Sequence, residues 1–197
     1  MLAALVQSAG ADPIVLGIAK DELADVQTHL DRAVNEKVDL ILSSAGVSVG
    51  AFDYLREAVA SKGSLDFWKV NMRPGRPFTF GNYRNIPYIG LPGNPASAFV
   101  GFEVFVRPAL QKMGGVSNWS RQFQPAILME DAESDGRESF LRVRIEPRQD
   151  GFHIYLTGHQ GSGNLYSLVQ AQGLMRVPAG LTKLSKGSPQ EVWLLSE

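Results

Sequence analysis

The chain has 197 residues, of which 44% are hydrophobic and 20% charged, with a formal net charge of −1 and no cysteine. This composition excludes a disordered chain, disulfide bonds, thiolate nucleophiles and cysteine-based metal sites, and it provides no overall basic field for nucleic acid or an anionic membrane. No apolar run reaches the roughly 20 residues that cross a bilayer, and the first residues lack the pattern of a secretory signal. We therefore expect a cytoplasmic protein of one or two domains.

The first part of the chain predicts alternating strands and helices. In chain order, the predicted elements are the end of an apolar helix over 2–9, a buried strand over 13–18, a helix over 22–36, an apolar strand over 38–44 and a helix from about 53 to 61. Unbroken apolar strands that alternate with helices are typical of a parallel sheet covered on both faces.

Three more strands, a long helix and a β-rich region follow. The strands are predicted over 66–72, 77–81 and 86–91, with the first two joined by the MRPGRP turn. Asn94 and Pro95 favour a helix start as N-cap and first helical residue. After about residue 118, short alternating runs are separated by Asp, Gly, Ser and Pro clusters, which predicts a small all-β domain over 122–197. The α/β domain then occupies 1–118.

Two loops at the ends of predicted strands suit an anionic ligand. SSAGVSVGAFD, 43–53, is rich in small residues that let backbone N–H groups approach a phosphate, and Asp53 could hold Mg²⁺. A tight turn with an N-capping Asp explains the same residues. GLPGNPASA, 90–98, opens a helix whose free N–H groups could meet a negative charge, although a well-capped helix start is an equally complete explanation.

Arginines supply two further candidates. Arg73 and Arg76 flank Pro74–Gly75, and guanidinium groups bind phosphate and similar oxyanions with two hydrogen bonds, although two exposed arginines on a hairpin are common. In the β-rich region, Arg142 and the loop that contains Ser162 could close over a ligand, and a plain turn explains that loop as easily. Because three candidate loops follow strands of one predicted sheet, they favour a site for a phosphorylated ligand.

The chain resembles the molybdopterin molybdenumtransferase family, which includes MoeA and the gephyrin E domain. The resemblance spans the whole chain and rests on segments that occur in the family's order: MLAALV, SSAGVSVGAFDY, FWKVNMRPGRPFTFG, GLPGNPASA and TGHQGSGNLYS. It implies a molybdopterin-binding, MogA-like α/β domain with a three-layer parallel sheet, which lacks its first strand here, followed by the family's small all-β C-terminal domain.

The resemblance also implies an activity and its residues. Family members insert molybdate into adenylylated molybdopterin and release AMP with the help of Mg²⁺. Catalytic roles are carried over to Asp53, Arg73 and Arg76, with Asp53 as the metal ligand. The residues expected to bind molybdopterin are Ser44, Gly46, Ser48, Gly50, Gly93, Asn94, Ser97, Arg142 and Ser162.

The chain departs from the family pattern at several positions. Ala45 stands where many relatives have glycine, which matters only if the backbone there has positive φ. Ala51 replaces a commonly acidic residue, and Gly163 replaces a frequent histidine. The two N-terminal domains of the family and a first strand are absent, so a sheet edge is expected to be open and to invite pairing with another chain.

Two functions follow as expectations. The first is the molybdotransferase reaction on molybdopterin and molybdate, performed by a homodimer, with or without a separately encoded N-terminal part. The alternative is a truncated molybdopterin-binding or self-associating scaffold module without turnover. Neither expectation includes a nucleic acid or a membrane as partner.

Overall fold

The structure, a computed structural model, describes residues 1–45, 52–119 and 122–195, and it leaves the side chains at positions 52, 53 and 68 undescribed. The chain forms two units. The first comprises Met1–Val70 and Gly75–Trp119, and the second comprises Asn71–Pro74 and Ser120–Glu197. The sequence placed the whole of 1–118 in one domain, so the transfer of residues 71–74 to the second unit was not predicted.

The elements up to residue 113 are, in chain order, α1 (Leu2–Ser8), α2 (Leu23–Asn35), β1 (Ile41–Ser44), α3 (Phe52–Lys62), β2 (Gly63–Lys69), β3 (Met72–Arg73), β4 (Pro77–Tyr83), β5 (Ile86–Leu91), α4 (Pro95–Gly101), a π-helical turn (Phe102–Val106) and α5 (Arg107–Met113). All of them except β3 belong to the first unit.

The sheet of the first unit is mixed, whereas the sequence predicted a parallel one. Its strand order is β1-β5-β4-β2, and only β1 and β5 run parallel. The reason is the two-residue turn Arg84–Asn85, in which both residues have positive φ (46° and 66°). That conformation joins β4 and β5 as a tight antiparallel hairpin, and without a glycine it gives a weak sequence signal.

The predicted strand over 13–18 is wrong. Residues 11–20 form neither helix nor strand, and Ile14, Val15 and Ile18 are 52%, 74% and 95% exposed. Among the described strands, β1 pairs only with β5 and none pairs with this segment. A β-branched apolar run therefore stays irregular here, because a strand needs a neighbour for its backbone hydrogen bonds.

The predicted strand over 66–72 is also divided. β2 ends at Lys69, and Met72 and Arg73 pair in parallel with Glu138 and Ser139 of the second unit. The chain therefore leaves one sheet, contributes two residues to another, and returns to the first as β4.

Helices cover the mixed sheet through two separate apolar clusters. Tyr88 and Ile89, adjacent on β5, point into different clusters, as alternation along a strand requires. One cluster joins the sheet to α2 and α3 through Leu30, Ala33, Ile41, Ala58, Val59, Tyr83 and Tyr88. The other joins it to α1, α4 and the π-helical turn through Val6, Phe78, Ile89, Leu91, Ala98, Phe102 and Val106.

The described residues of the second unit form a closed sheet, a separate pair of short strands and one short helix. Its elements after β3 are β6 (Gln124–Leu128), β7 (Ala132–Glu133), β8 (Glu138–Arg148), β9 (Gly151–Leu156), α6 (Leu165–Val169), β10 (Gly173–Val177), β11 (Lys183–Leu184) and β12 (Pro189–Leu194). The strand order is β10-β12-β6-β9-β8-β3, and β10 also pairs with β8, which closes the sheet on itself. Helix α6 is the one element that the all-β prediction did not include.

Candidate functional site

Two loops meet at the carboxyl ends of β1 and β5. Because these strands are parallel neighbours, both end at the same edge of the sheet. The Ala45 N–H donates to the Leu91 carbonyl at 3.2 Å, and the Ser44 hydroxyl donates to the Pro92 carbonyl at 3.4 Å. Ser44 is thereby placed beside the loop that carries Gly93 and Asn94.

Gly93 lies where the loop after β5 passes very close to Ala45. A Cβ atom at this position would lie 3.0 Å from the Cβ of Ala45 and 3.2 Å from its Cα, so a side chain would fit only if Ala45 moved by a few tenths of an ångström. Ala45 itself has a φ of 70°. This positive φ is the left-handed conformation that favours glycine. The departure from glycine at position 45 therefore matters for the backbone.

The start of α4 agrees with the predicted cap. Asn94 is the N-cap, its Oδ1 accepts from the Ala96 N–H at 3.2 Å, and Pro95 is the first helical residue. Ser97 is buried in the first turn. Asn94 and Ser97 therefore lie at the amino end of a helix that continues, through the π-helical turn, to Met113.

Four predicted site residues of the α/β domain lie outside the described part of the chain, either completely or in their side chain. Gly46, Ser48 and Gly50 fall in the segment 46–51, which is not described. Asp53 is the second residue of α3, but its side chain is not described. The phosphate-loop and metal roles of these four residues stay predictions.

Arg73 and Arg76 do not share one structural unit. Arg73 lies on β3 of the second unit, where its Nη1 is 3.9 Å from Asp135 Oδ2. Arg76 belongs to the first unit, where its side chain is exposed and its carbonyl accepts from the Val70 N–H at 3.0 Å. Between them, Gly75 has a φ of 105°, which glycine adopts without strain. The expected rigid hairpin with both arginines is thus a connection between two sheets.

Arg142, on β8, is completely buried, which is rare for a charged side chain. Its Nε donates to Ser167 Oγ at 2.7 Å, and its Nη2 donates to the carbonyls of Gly161 at 3.1 Å and His159 at 3.5 Å. All of these acceptors are neutral. Ser162, which is exposed, directly follows Gly161, so the structure brings Arg142 and the predicted loop together.

The positive charge of Arg142 has no counter-charge among the described residues. Its Nη1 is buried and makes no hydrogen bond there. Burial lowers the pKa of the Arg142 guanidinium, and the positive charge of Arg73 lowers that pKa further. A buried cation with two free N–H donors and a second cation nearby is an arrangement that an oxyanion would stabilise.

Two polar residues around Arg142 were not predicted as functional. Gln160 binds the backbone of Arg142, and Ser167 binds its side chain. The sequence signal was indirect: both residues lie in or beside the run GHQGSGN, whose glycine, serine and asparagine residues are those of an ordinary turn.

The described residues contain neither a metal-binding cluster nor a membrane-spanning helix. No group of three or more His, Asp or Glu side chains could hold a metal ion within 1–45, 52–119 and 122–195. No helix in the same ranges has the length and apolar character of a membrane span.

Comparisons with known proteins identify the class and then the family. Residues 1–112 match a family model described as "Probable molybdopterin binding domain", and residues 121–195 match one described as "MoeA C-terminal region (domain IV)". The chain thus has the two domains of one class of protein, an α/β domain of the molybdopterin-binding type followed by a MoeA-type β domain. It belongs to the molybdopterin molybdenumtransferase, or MoeA, family, as the motif resemblance indicated.

Curated relatives and solved structures support this assignment. The chain is 38% identical to a molybdopterin molybdenumtransferase from Nostoc sp. and 34% identical to molybdopterin molybdenumtransferase 2 from Mycobacterium tuberculosis, matching over 94% and 100% of its own length. A crystal structure of a MoeA protein from Pyrococcus horikoshii superposes with a TM-score of 0.82 at 26% identity and covers the whole chain. The chain spans 44% and 49% of the two curated relatives and 47% of that structure.

Proposed function

We propose that the chain takes part in molybdenum cofactor biosynthesis by inserting molybdate into adenylylated molybdopterin, with release of AMP. Relatives that carry the name molybdopterin molybdenumtransferase support this assignment. Because the chain spans about half the length of those relatives, the complete reaction is a proposal for this chain and not a property taken over from them.

The observation that carries the proposal is the buried, uncompensated guanidinium of Arg142. Molybdate is a tetrahedral dianion, and a guanidinium presents paired N–H donors to two oxygens of such an ion. The two N–H groups of Nη1 have no acceptor among the described residues. We assign Arg142 to binding molybdate in the second unit.

Arg73 would supply the second positive charge. It belongs to the same unit as Arg142 and lies close enough that its charge lowers the pKa of Arg142. Arg73 is about one third exposed and only loosely paired with Asp135, whose carboxylate is already bound by Arg137. A dianion beside the two cations would remove their mutual repulsion, which is the electrostatic reason to expect tight and orienting binding.

The loops of the first unit would bind the organic substrate. We propose that Ser44, Gly93, Asn94 and Ser97 bind a phosphate of molybdopterin, since they lie at the carboxyl ends of two parallel strands and at the amino end of a helix. Gly46, Ser48, Gly50 and Arg76 are proposed to extend this site, and Ser162 to extend the molybdate site.

The described residues do not provide a set of ligands for Mg²⁺. The family resemblance implies Mg²⁺ at Asp53, but no acidic cluster is present in the described parts of the chain and the Asp53 side chain is outside them. Asp53 remains the predicted ligand, and no step is derived through the metal.

The assembly proposed for this activity is a homodimer in the cytoplasm. The alternative function, a binding or scaffold module without turnover, is motivated by the length of the chain relative to its relatives. The two functions differ in whether AMP is released, so one assay separates them.

The test is to incubate the full chain with adenylylated molybdopterin, molybdate and Mg²⁺, and to measure AMP by chromatography. We expect AMP release that depends on molybdate and is lost in Arg142→Met. The same assay is run after addition of the remaining domains from a relative. Molybdopterin binding without AMP release under both conditions would establish the scaffold function and overturn the transferase.

A further inference from the structure

Ser167 holds the guanidinium of Arg142 in one orientation. The Ser167 hydroxyl donates its only hydrogen to the Asn164 carbonyl at 2.8 Å, so its oxygen is free to accept from Arg142 Nε at 2.7 Å. Ser167 is itself completely buried in α6, and its N–H donates to the N-capping side chain of Asn164 at 3.1 Å. The acceptor is therefore fixed by the helix and cannot turn away.

Gln160 holds the backbone of the same residue. The Arg142 N–H donates to Gln160 Oε1 at 2.8 Å, and Gln160 Nε2 donates to the Arg142 carbonyl at 3.1 Å. β9 ends at Leu156, and beyond it the Arg142 carbonyl also accepts from the N–H and the hydroxyl of Thr157, both at 3.1 Å, whereas the Gln160 side chain supplies the acceptor for the Arg142 N–H. Gln160 and Thr157 together hold the backbone from which the buried Arg142 side chain extends.

Together these contacts determine which nitrogen of the Arg142 guanidinium has no hydrogen-bond acceptor. Nε is occupied by Ser167, and Nη2 by the carbonyls of Gly161 and His159, whereas Nη1 has no acceptor among the described residues. A guanidinium that lost the Ser167 contact could rotate about its last bonds and present Nη1 and Nη2 interchangeably, and binding would then include the cost of ordering it.

We infer that Ser167 and Gln160 are positioning residues that aim Nη1 of Arg142 at its oxyanion. This inference rests on the proposed function, since it takes molybdate as the ion. Neither residue is required to touch the ion, and each acts through Arg142.

The expected effects are losses of affinity in a folded protein. Ser167→Ala should weaken molybdate binding about tenfold, which is the lower end of what removal of an orienting outer contact costs at an ion site. Gln160→Ala should weaken it by a smaller factor, because the strand still holds part of the backbone. Ser167→Thr retains a hydroxyl and should restore binding relative to Ser167→Ala.

The experiment is titration calorimetry of the full chain with sodium molybdate, combined with NMR of arginine Nε–H groups. The Arg142 resonance is assigned by its absence in Arg142→Lys. In the unaltered chain this Nε–H should exchange slowly, and in Ser167→Ala it should exchange fast or disappear. A merely structural serine would leave the molybdate affinity unchanged even where loss of the Ser167 acceptor alters that resonance.

Ser188→Ala is the matched control. The Ser188 hydroxyl also donates to the carbonyl three residues earlier, at 2.6 Å, and accepts from a side-chain nitrogen, that of Gln190, at 2.9 Å. The Ser188→Ala substitution should leave molybdate affinity unchanged. If Ser167→Ala does not fold, Gln160→Ala, in a partly exposed loop, carries the test.

Two outcomes would overturn the inference, and they are distinguishable. Molybdate binding by the unaltered chain with affinities within twofold in Ser167→Ala and Gln160→Ala would remove the positioning role and leave the proposed function intact. Absence of molybdate binding by the unaltered chain would contradict the proposed function and the inference with it.

Discussion

At the scale of single residues, Ala45 and Gly93 show how closely the loops after β1 and β5 approach each other. Ala45 adopts a φ of 70°, and a side chain at position 93 would meet it at 3.0 Å. The chain therefore accepts backbone strain at Ala45 where glycine would have none.

Ala45→Gly should stabilise the protein. Glycine relieves the left-handed strain, and we expect the free energy of unfolding to rise by about 0.5–1 kcal/mol, measured by urea denaturation. The control is Ala60→Gly, an exposed position within α3, which should lower stability by about 1 kcal/mol. Equal destabilisation by both changes would show that Ala45 is not strained.

Some residue-level features could be predicted from sequence and others could not. The N-cap at Asn94 and the helix start at Pro95 follow from local chemistry and were predicted correctly. The separation of Arg73 from Arg76 was missed, because it depends on the pairing of Met72 and Arg73 with a strand more than sixty residues away. Local turn signals contain no information about that partner.

At the scale of elements, Asp31 ties two helices and a hairpin together. Its carboxylate accepts from Lys62 of α3 at 2.7 Å and from the Tyr83 hydroxyl of β4 at 2.8 Å, and it lies 3.3 Å from Arg84 of the hairpin turn. The hydrogen bond from Lys62 is the largest cause that lowers the pKa of Asp31 below its ordinary value of 3.8, with Tyr83 and Arg84 acting in the same direction.

Asp31→Asn should lower the melting temperature by a few degrees at pH 7. Since the folded-state pKa of Asp31 is depressed, its contribution is fully present above 3.8 and is lost as the pH falls through the lower folded value. The difference between the two proteins should therefore shrink only below about pH 4 in thermal unfolding scans. Asp39→Asn, at an exposed position, is the control, and a difference that persisted at the lowest pH would contradict the ionic explanation.

Element predictions succeeded where the evidence was local and failed where a partner was needed. α2 was predicted over 22–36 and spans Leu23–Asn35, because its apolar periodicity and polar start are internal to the segment. The run PIVLGI has the composition of a buried strand but no described strand pairs with it, so composition alone gave the wrong result. The mixed sheet was missed for a related reason, since Arg84–Asn85 forms a tight hairpin without glycine.

At the scale of the whole molecule, a net charge of −1 conceals a local site for an anion. The overall charge gives no attraction for oxyanions, yet the second unit contains a buried guanidinium whose hydrogen-bond acceptors are all neutral. Removing such a charge from water is costly, and the cost is recovered only when an opposite charge arrives. This accounts for Arg142 better as a binding residue than as a source of stability.

The most direct measurement is the equilibrium binding of molybdate to the full chain and to Arg142→Met. We predict one site, with molybdate affinity reduced roughly 10- to 100-fold by the substitution, which corresponds to the loss of charge-assisted hydrogen bonds. Arg144→Met, an exposed arginine two residues away on β8, should bind as the unaltered chain does. Equal affinity in Arg142→Met, or an equal loss in Arg144→Met, would contradict the assignment of Arg142 as the molybdate-binding residue.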